Sequence, residues 1–227
     1  MVQFANPRSR HPYHMHDMIR GQPAFVQETL DRTAHVDAEA FLGSTRNLVL
    51  TGCGTSFHAA MIGARLLQAG LGGKTVVHAV HAYDLLHGFV LPEDSTVVGV
   101  SHSGSTSTTN EALALARRSG AQTRGLCGLP ASRMAEVAEE NLVIGSVHDR
   151  SWANTMSYTT QLTAFARLAD EASAGKRSPF PGGLKGLPGV LRDALGCERR
   201  VRRLSREVAQ SRRVTFLGSG LDAVTAL

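Results

Sequence analysis

"RNLVLTGCGTSFHAAMI" (residues 46–62) decides how the chain folds. Leu48, Val49 and Leu50 form an apolar run without alternation, the pattern of a strand buried on both faces. Gly52 and Gly54 allow a tight turn, and Thr55 and Ser56 stand where a helix would begin. The same change of period recurs downstream. "TVVHAV" (75–80), "STVVGV" (95–100), "QTRGLCGL" (122–129) and "NLVIGS" (141–146) read as further strands. "SFHAAMIGARLLQAG" (56–70), "STTNEALALARRSG" (107–120), "ASRMAEVAE" (131–139) and "ANTMSYTTQLTAFARLADEASAG" (153–175) read as helices. This alternation predicts an α/β protein: a three-layer αβα sandwich around a five-stranded parallel sheet.

Residues 1–20, with His11, His14 and His16, read as a poorly ordered or partner-dependent arm. "GQPAFVQETLDRTAHVDAEAFL" reads as one or two helices, with Ala24, Val26, Leu30 and Ala34 as the apolar face. The first domain is therefore placed at residues 21–175. "GKRSPFPGGLKGLPG" (175–189) is a linker, and a basic helix follows at 190–211, so 176–211 connects two units. "RRVTFLGSGLDAVTAL" (212–227) repeats the plan of residues 46–62: basic residue, apolar strand, G-x-G, helix. It reads as the incomplete start of a second, similar domain. One strand and part of a helix cannot bury a core, so further chain or a partner would complete it.

Composition narrows the function. Of 227 residues, 42% are hydrophobic and 19% charged, ordinary for a globular protein. No window reads as a membrane span, and the N-terminus does not read as a secretory signal, so a cytoplasmic protein is expected. Cys53, Cys127 and Cys197 form no C-x-x-C; free thiols and no metal are expected. The net charge is +5, much of it in "ERRVRRLSREVAQSRR" (198–213). Val201, Leu204 and Val208 give that segment an apolar stripe, so it reads as a solvated helix face rather than a nucleic-acid surface. A surplus of cations also suits phosphorylated metabolites.

Two turns fall at strand ends, where open α/β sheets place their ligands. One is "GCGTSFH" (52–58); the other is "SHSGSTST" (101–108). Helix N-termini offer unpaired N–H groups and partial positive charge, and hydroxyls add neutral donors. Two such turns would make an anion pocket without metal. No Walker motif is present, and the G-x-G lacks the third glycine of a dinucleotide fingerprint. No cofactor is expected.

"GCGTSFHA", "VGVSHSGST", "ANTMSYTTQL" and the "FLGSG" restart together resemble the SIS (sugar isomerase) domain family. The similarity is strongest to two-SIS proteins related to the isomerase half of glucosamine-6-phosphate synthase. Those proteins carry an ACGTS-type turn, an SQSGET-type turn and an E-x-x-V-A-S-T-K-x-F-T-x-Q-L stretch. The run from Asp149 to Leu162 stands in the third place. The resemblance implies a flavodoxin-like sheet and a phosphorylated sugar or amino sugar as ligand. Gly54, Thr55 and Ser56 would line the pocket from the first turn. Ser101, Ser103 and Thr106 would hold phosphate, with His102 and Gly104 adding contacts, and Asn154 would touch the sugar. His102, Ser105, Trp152 and Met156 depart from the family pattern, and Trp152 would reshape the sugar end.

The resemblance implies aldose–ketose isomerisation or amino-sugar-phosphate deamination of a hexose 6-phosphate through an enediol or enolamine. Relatives also include deglycating enzymes. A non-catalytic sugar-phosphate sensor is the alternative. No Met-Cys-Gly nucleophile of a glutaminase half is present, so glutamine-dependent amination by this chain alone is not expected. The family's glutamate base would fall after Leu227. Within the chain, His58 and His102 are the imidazoles near the turns, and a pKa near 6.5 suits proton transfer. His58 is expected to be hydrogen-bonded and structural. The likeness also implies a homodimer, with helices 56–70 and 153–175 offering apolar faces to it.

Overall fold

The structure is a computed structural model that describes residues 8–73, 75–151, 153–173 and 178–227. Three sequence expectations fall wholly or partly outside those residues: the first part of the arm, Trp152, and the helix-to-linker junction at 174–177.

β1 (Asn47–Gly52) lies inside the sheet, paired with β2 (Val76–His81) on one side and β3 (Ser95–Ser101) on the other. β4 (Gln122–Cys127) and β5 (Glu140–Val143) continue beyond β3. The order is β2-β1-β3-β4-β5 and every pair is parallel. Both faces are covered, which is why these strands lack alternation.

One face carries α2 (Ala38–Leu42), α3 (Thr55–Gly70) and α7 (Met156–Ala172), with α1 (His14–Arg32) against α7. Leu48, Leu50, Val98 and Val100 pack there with Leu67, Phe165 and Leu168. The other face carries α4 (Ala82–His87), α5 (Ser107–Arg118) and α6 (Arg133–Val137). There Val49 and Val97 pack with Leu85, Leu113 and Met134. Neighbouring strand residues thus feed opposite cores, as a pleat of period two demands. α3 and α7 approach closely: a Cβ on Gly63 would lie 2.6 Å from the Phe165 ring, and one on Gly70 2.4 Å from the Ala169 carbonyl oxygen.

Several expectations need correction. The arm is helical from His14, because α1 buries Met18, Pro23, Val26 and Thr29 and Thr29 donates to the Ile144 carbonyl at 2.9 Å. The sequence reading starts the helix at Gly21, because Pro12 and the histidines around it hide the turns before. Of the expected inward face, Val26 is buried and Leu30 half-buried, but Ala24 and Ala34 are exposed. α4, absent from the sequence reading, starts where the His81 Nδ1 accepts from the Tyr83 N–H. The basic helix is two helices, α8 (Leu187–Leu195) and α9 (Glu198–Val208), joined through Gly196 and Cys197. The apolar faces of α3 and α7 are occupied by each other and the sheet rather than left for a dimer partner.

Residues 212–219 form no strand ladder with any described residue, contrary to expectation. The turn after them does repeat the first one. Gly54 caps α3 at φ 54°, ψ −134°, and Gly220 caps α10 (Leu221–Thr225) at φ 58°, ψ −123°. Only glycine adopts that region without strain. A Cβ on Gly52 would meet the backbone of Ser56 and Phe57, and one on Gly218 the backbone of Asp222 and Ala223. α10 rests on α3 through the buried Val224, and the Thr225 and Tyr158 hydroxyls lie 3.0 Å apart.

Candidate functional site

β1 and β3 are adjacent and in register, with Gly52 opposite Val100. Their carboxyl ends therefore release the two turns side by side. The first turn leads to α3 on one face, and the second to α5 on the other. This is the switch point of the strand order, where α/β sheets open a crevice. The Thr109 hydroxyl of α5 reaches the Cys53 sulfur of the first turn at 3.7 Å, which ties the two together.

In the first turn, Phe57 and His58 make the earliest helical bonds, back to Cys53 and Gly54. The N–H groups of Thr55 and Ser56 precede them, unpaired as at any helix start. Asn154 Nδ2 donates to Thr55 Oγ1 at 3.0 Å, and Gln161 Nε2 donates to Ser56 Oγ at 3.0 Å. Asn154 holds φ at 37°, the left-handed region that asparagine tolerates.

In the second turn, Gly104 has φ 62°, and a Cβ there would lie 2.3 Å from Ser132 Oγ. Its N–H donates to Ser101 Oγ at 3.2 Å, while its carbonyl accepts from Asn110 Nδ2 at 3.1 Å and Met134 N at 2.9 Å. Ser101 and Thr106 hydroxyls lie 3.1 Å apart. Ser103 Oγ accepts from the Ser105 N–H at 3.3 Å and from the Ser105 hydroxyl at 2.9 Å.

These contacts share one polarity. A hydroxyl has one proton to give and two lone pairs. Thr55, Ser56 and Ser103 each accept from the protein, and none donates to any described residue. Their protons are left for something else. With two helix N-termini alongside, the crevice presents donors.

His102 is turned into the protein. Its ring packs on Gly128, where a Cβ would lie 2.3 Å from Nδ1, and Nε2 lies 3.1 Å from the Val147 carbonyl. Burial pushes its pKa below the ordinary histidine value; the Val147 bond and nearby Asp149 oppose that without winning, and His148 adds to it. Nε2 stands between the Val147 carbonyl at 3.1 Å and the Asp149 N–H at 3.3 Å, donating to the first or accepting from the second according to the tautomer, while Nδ1 has no partner among the described residues. His58 is half-buried in the first turn of α3 and makes no hydrogen bond among the described residues, contrary to expectation. Met156, where the resembled family has lysine, is buried as the first residue of α7.

Sequence reasoning assigned no role to three polar residues that hold the crevice together: Asn110, Asp149 and Gln161. Asp149 is 3% exposed and accepts from the N–H groups of Ser151, Thr155 and Ser157 at 2.9, 3.0 and 2.9 Å, and from the Ser151 hydroxyl. Burial alone would raise its pKa, but the bonds from Ser151 and Ser157 hold it below the usual carboxylate value. It thereby caps α7 and fixes the loop that carries Asn154. The first and last polar positions of the quoted 149–162 run were the only available signal. Among the described residues, no group of three or more His, Cys, Asp or Glu could hold a metal ion, and no helix is long and apolar enough to cross a membrane.

This doubly covered parallel sheet, with hydroxyl turns at its switch point, belongs to the SIS domain family, whose model matches residues 41–169. The chain is 29% identical over 187 residues to the glutamine–fructose-6-phosphate aminotransferase (isomerizing) of Pyrococcus horikoshii, covering 79% of this chain and 31% of that protein. The protein of the same name from Gloeobacter violaceus is 29% identical over 225 residues, covering 92% of this chain and 37% of its own length. The chain thus spans about a third of these curated relatives. Among solved structures, the C-terminal domain of the glucosamine-fructose-6-phosphate aminotransferase from Francisella tularensis superposes with a TM-score of 0.81 at 21% identity, covering 97% of this chain and 66% of that one. The tagatose-6-phosphate ketose/aldose isomerase of Escherichia coli gives 0.72 at 21% identity, covering 98% and 64%. At such identities the structural likeness is one of fold.

Proposed function

We propose that the crevice binds the phosphate of a phosphorylated sugar or amino sugar, and that the chain forms the phosphate-gripping part of a hexose 6-phosphate isomerase or deaminase. The carrying observation is the polarity of the wall: Thr55, Ser56 and Ser103 accept inward and keep their protons free. A dianion is the ligand that pairs with donors alone. The relatives' names point the same way, since they act on fructose 6-phosphate and tagatose 6-phosphate. Ser101 and Thr106 join the grip, Gly54 and Gly104 let the backbone approach, and Asn154 faces the sugar.

In this reading His102 sets the shape of the second turn and is not the proton-transferring base. Of the two imidazoles, His58 is the one whose ring nitrogens are unengaged by described residues. Residues 212–227 are the start of a second unit of the same plan, supported by the matched glycine conformations. The protein is expected to work in the cytoplasm as a homodimer.

Calorimetry of the chain with fructose 6-phosphate, glucosamine 6-phosphate and unphosphorylated fructose tests the reading. Binding should need the phosphate. Replacing Ser103 and Thr106 together by alanine should weaken it by about 2–4 kcal/mol, the usual worth of charge-assisted bonds. Unchanged affinity in that variant would place the ligand elsewhere.

A further inference from the structure

Along most of their contact, α3 and α7 meet through small and apolar side chains. Ala60, Gly63 and Leu67 of one helix are buried in the same core as Ala164, Phe165 and Leu168 of the other. The helices advance together, since Gly63 lies against the Phe165 ring and Gly70 against Ala169. One turn before Phe165, at the crevice end of this seam, the chemistry changes. Gln161 is 1% exposed, and its Nε2 donates to Ser56 Oγ at 3.0 Å.

Packing does not call for that pair. An alanine and a methionine would fill the same space, and two paired polar groups gain little over apolar groups of their shape. What the pair does fix is a direction. A serine hydroxyl turns among three staggered positions and, near a helix start, can bond its own backbone instead of a guest. With Nε2 as donor, one lone pair of Ser56 is occupied and its proton points away from Gln161. No described residue takes that proton. Thr55 and Ser103 accept in the same sense, but from the exposed Asn154 and Ser105, whose places water can take. Gln161 is out of reach of water, and a hydrogen bond inside the protein is stronger for it.

We propose that Gln161 is a positioning residue of the crevice: from the interior it holds the Ser56 hydroxyl as an acceptor and so aims its proton at the phosphate of the guest. Gln161 itself stays clear of the guest. The inference rests on the sugar-phosphate reading above and adds which hydroxyl is held ready before the guest arrives.

Calorimetry with fructose 6-phosphate and glucosamine 6-phosphate on four chains tests it: wild type, Gln161→Met, Ser56→Ala and the two changes together. Gln161→Met should weaken binding about three- to tenfold, because the freed hydroxyl spreads its proton over several directions. Ser56→Ala should weaken it about tenfold or more. The double variant should bind within about twofold of Ser56→Ala, because Gln161 acts only through that hydroxyl. Its urea midpoint should stay near that of wild type, a result that a purely structural role would not give. Gln161→Glu keeps the shape but turns the donor into an acceptor for the Ser56 proton, and affinity should fall about a hundredfold. Circular dichroism verifies that each variant is folded, and the methionine and alanine variants decide the matter if the glutamate one is not. Three results would overturn the inference and leave the sugar-phosphate reading standing: no loss in Gln161→Met, the same loss from it with and without Ser56, or a folded Gln161→Glu chain that binds like wild type. A wild-type chain that binds neither hexose 6-phosphate would remove that reading, and this inference with it.

Discussion

Asp149 and His102 sit together under the second turn, and each has its ionisation displaced by folding. The Asp149 carboxyl lies below its ordinary value because donated bonds outweigh burial. Its contribution to stability is therefore present above the usual carboxylate range and lost as pH falls through the folded value. His102 is also depressed, by burial. The unfolded chain takes up that proton near pH 6.5 while the folded chain resists it. Stability is thus complete above about pH 6.5 and declines as pH falls through the lower folded value. Urea midpoints across pH should show two separate declines, and His102→Gln should remove only the upper one. Asp149→Asn should cost at least about 2 kcal/mol, since an amide would face three N–H donors. Thr55, Ser56, Ser101, Ser103 and Thr106 were legible as a group, because strand, turn and helix start are all local patterns. Gln161 was not, because Ser56 lies 105 residues before it and only the folded chain makes them neighbours.

At the level of elements, unalternated apolar runs marked all five strands to within a few residues. The turns of α1 before Gly21 escaped because Pro12 and three histidines interrupt the pattern there, and its fit against α7 completes the helix. α9 was legible as a helix, but nothing local says whether an apolar stripe is covered. The α3–α7 contact gives a test of close packing. Gly70→Ala would gain up to about 1 kcal/mol of helix propensity. Its methyl would collide with the Ala169 carbonyl oxygen, which is backbone and cannot turn aside. Collision should win, with a net loss of about 1–3 kcal/mol by urea titration. Gly189 in α8 meets nothing within 4 Å of an added Cβ. Gly189→Ala should be neutral or stabilise by about 0.4–1 kcal/mol in the same assay.

Across the whole molecule, one sheet edge gathers two helix starts and the free protons of Thr55, Ser56 and Ser103. Such a rim is set to give protons rather than to take one, and so favours the fully ionised form of its guest. A phosphate monoester sheds its last acidic hydrogen near pH 6, whereas a sulfate monoester has none to shed. Affinity for a sugar phosphate should therefore climb between about pH 5 and pH 7, measured by calorimetry, while that for the matching sugar sulfate stays level. An acidifying cell would loosen the grip through the guest rather than through any titrating group of the host.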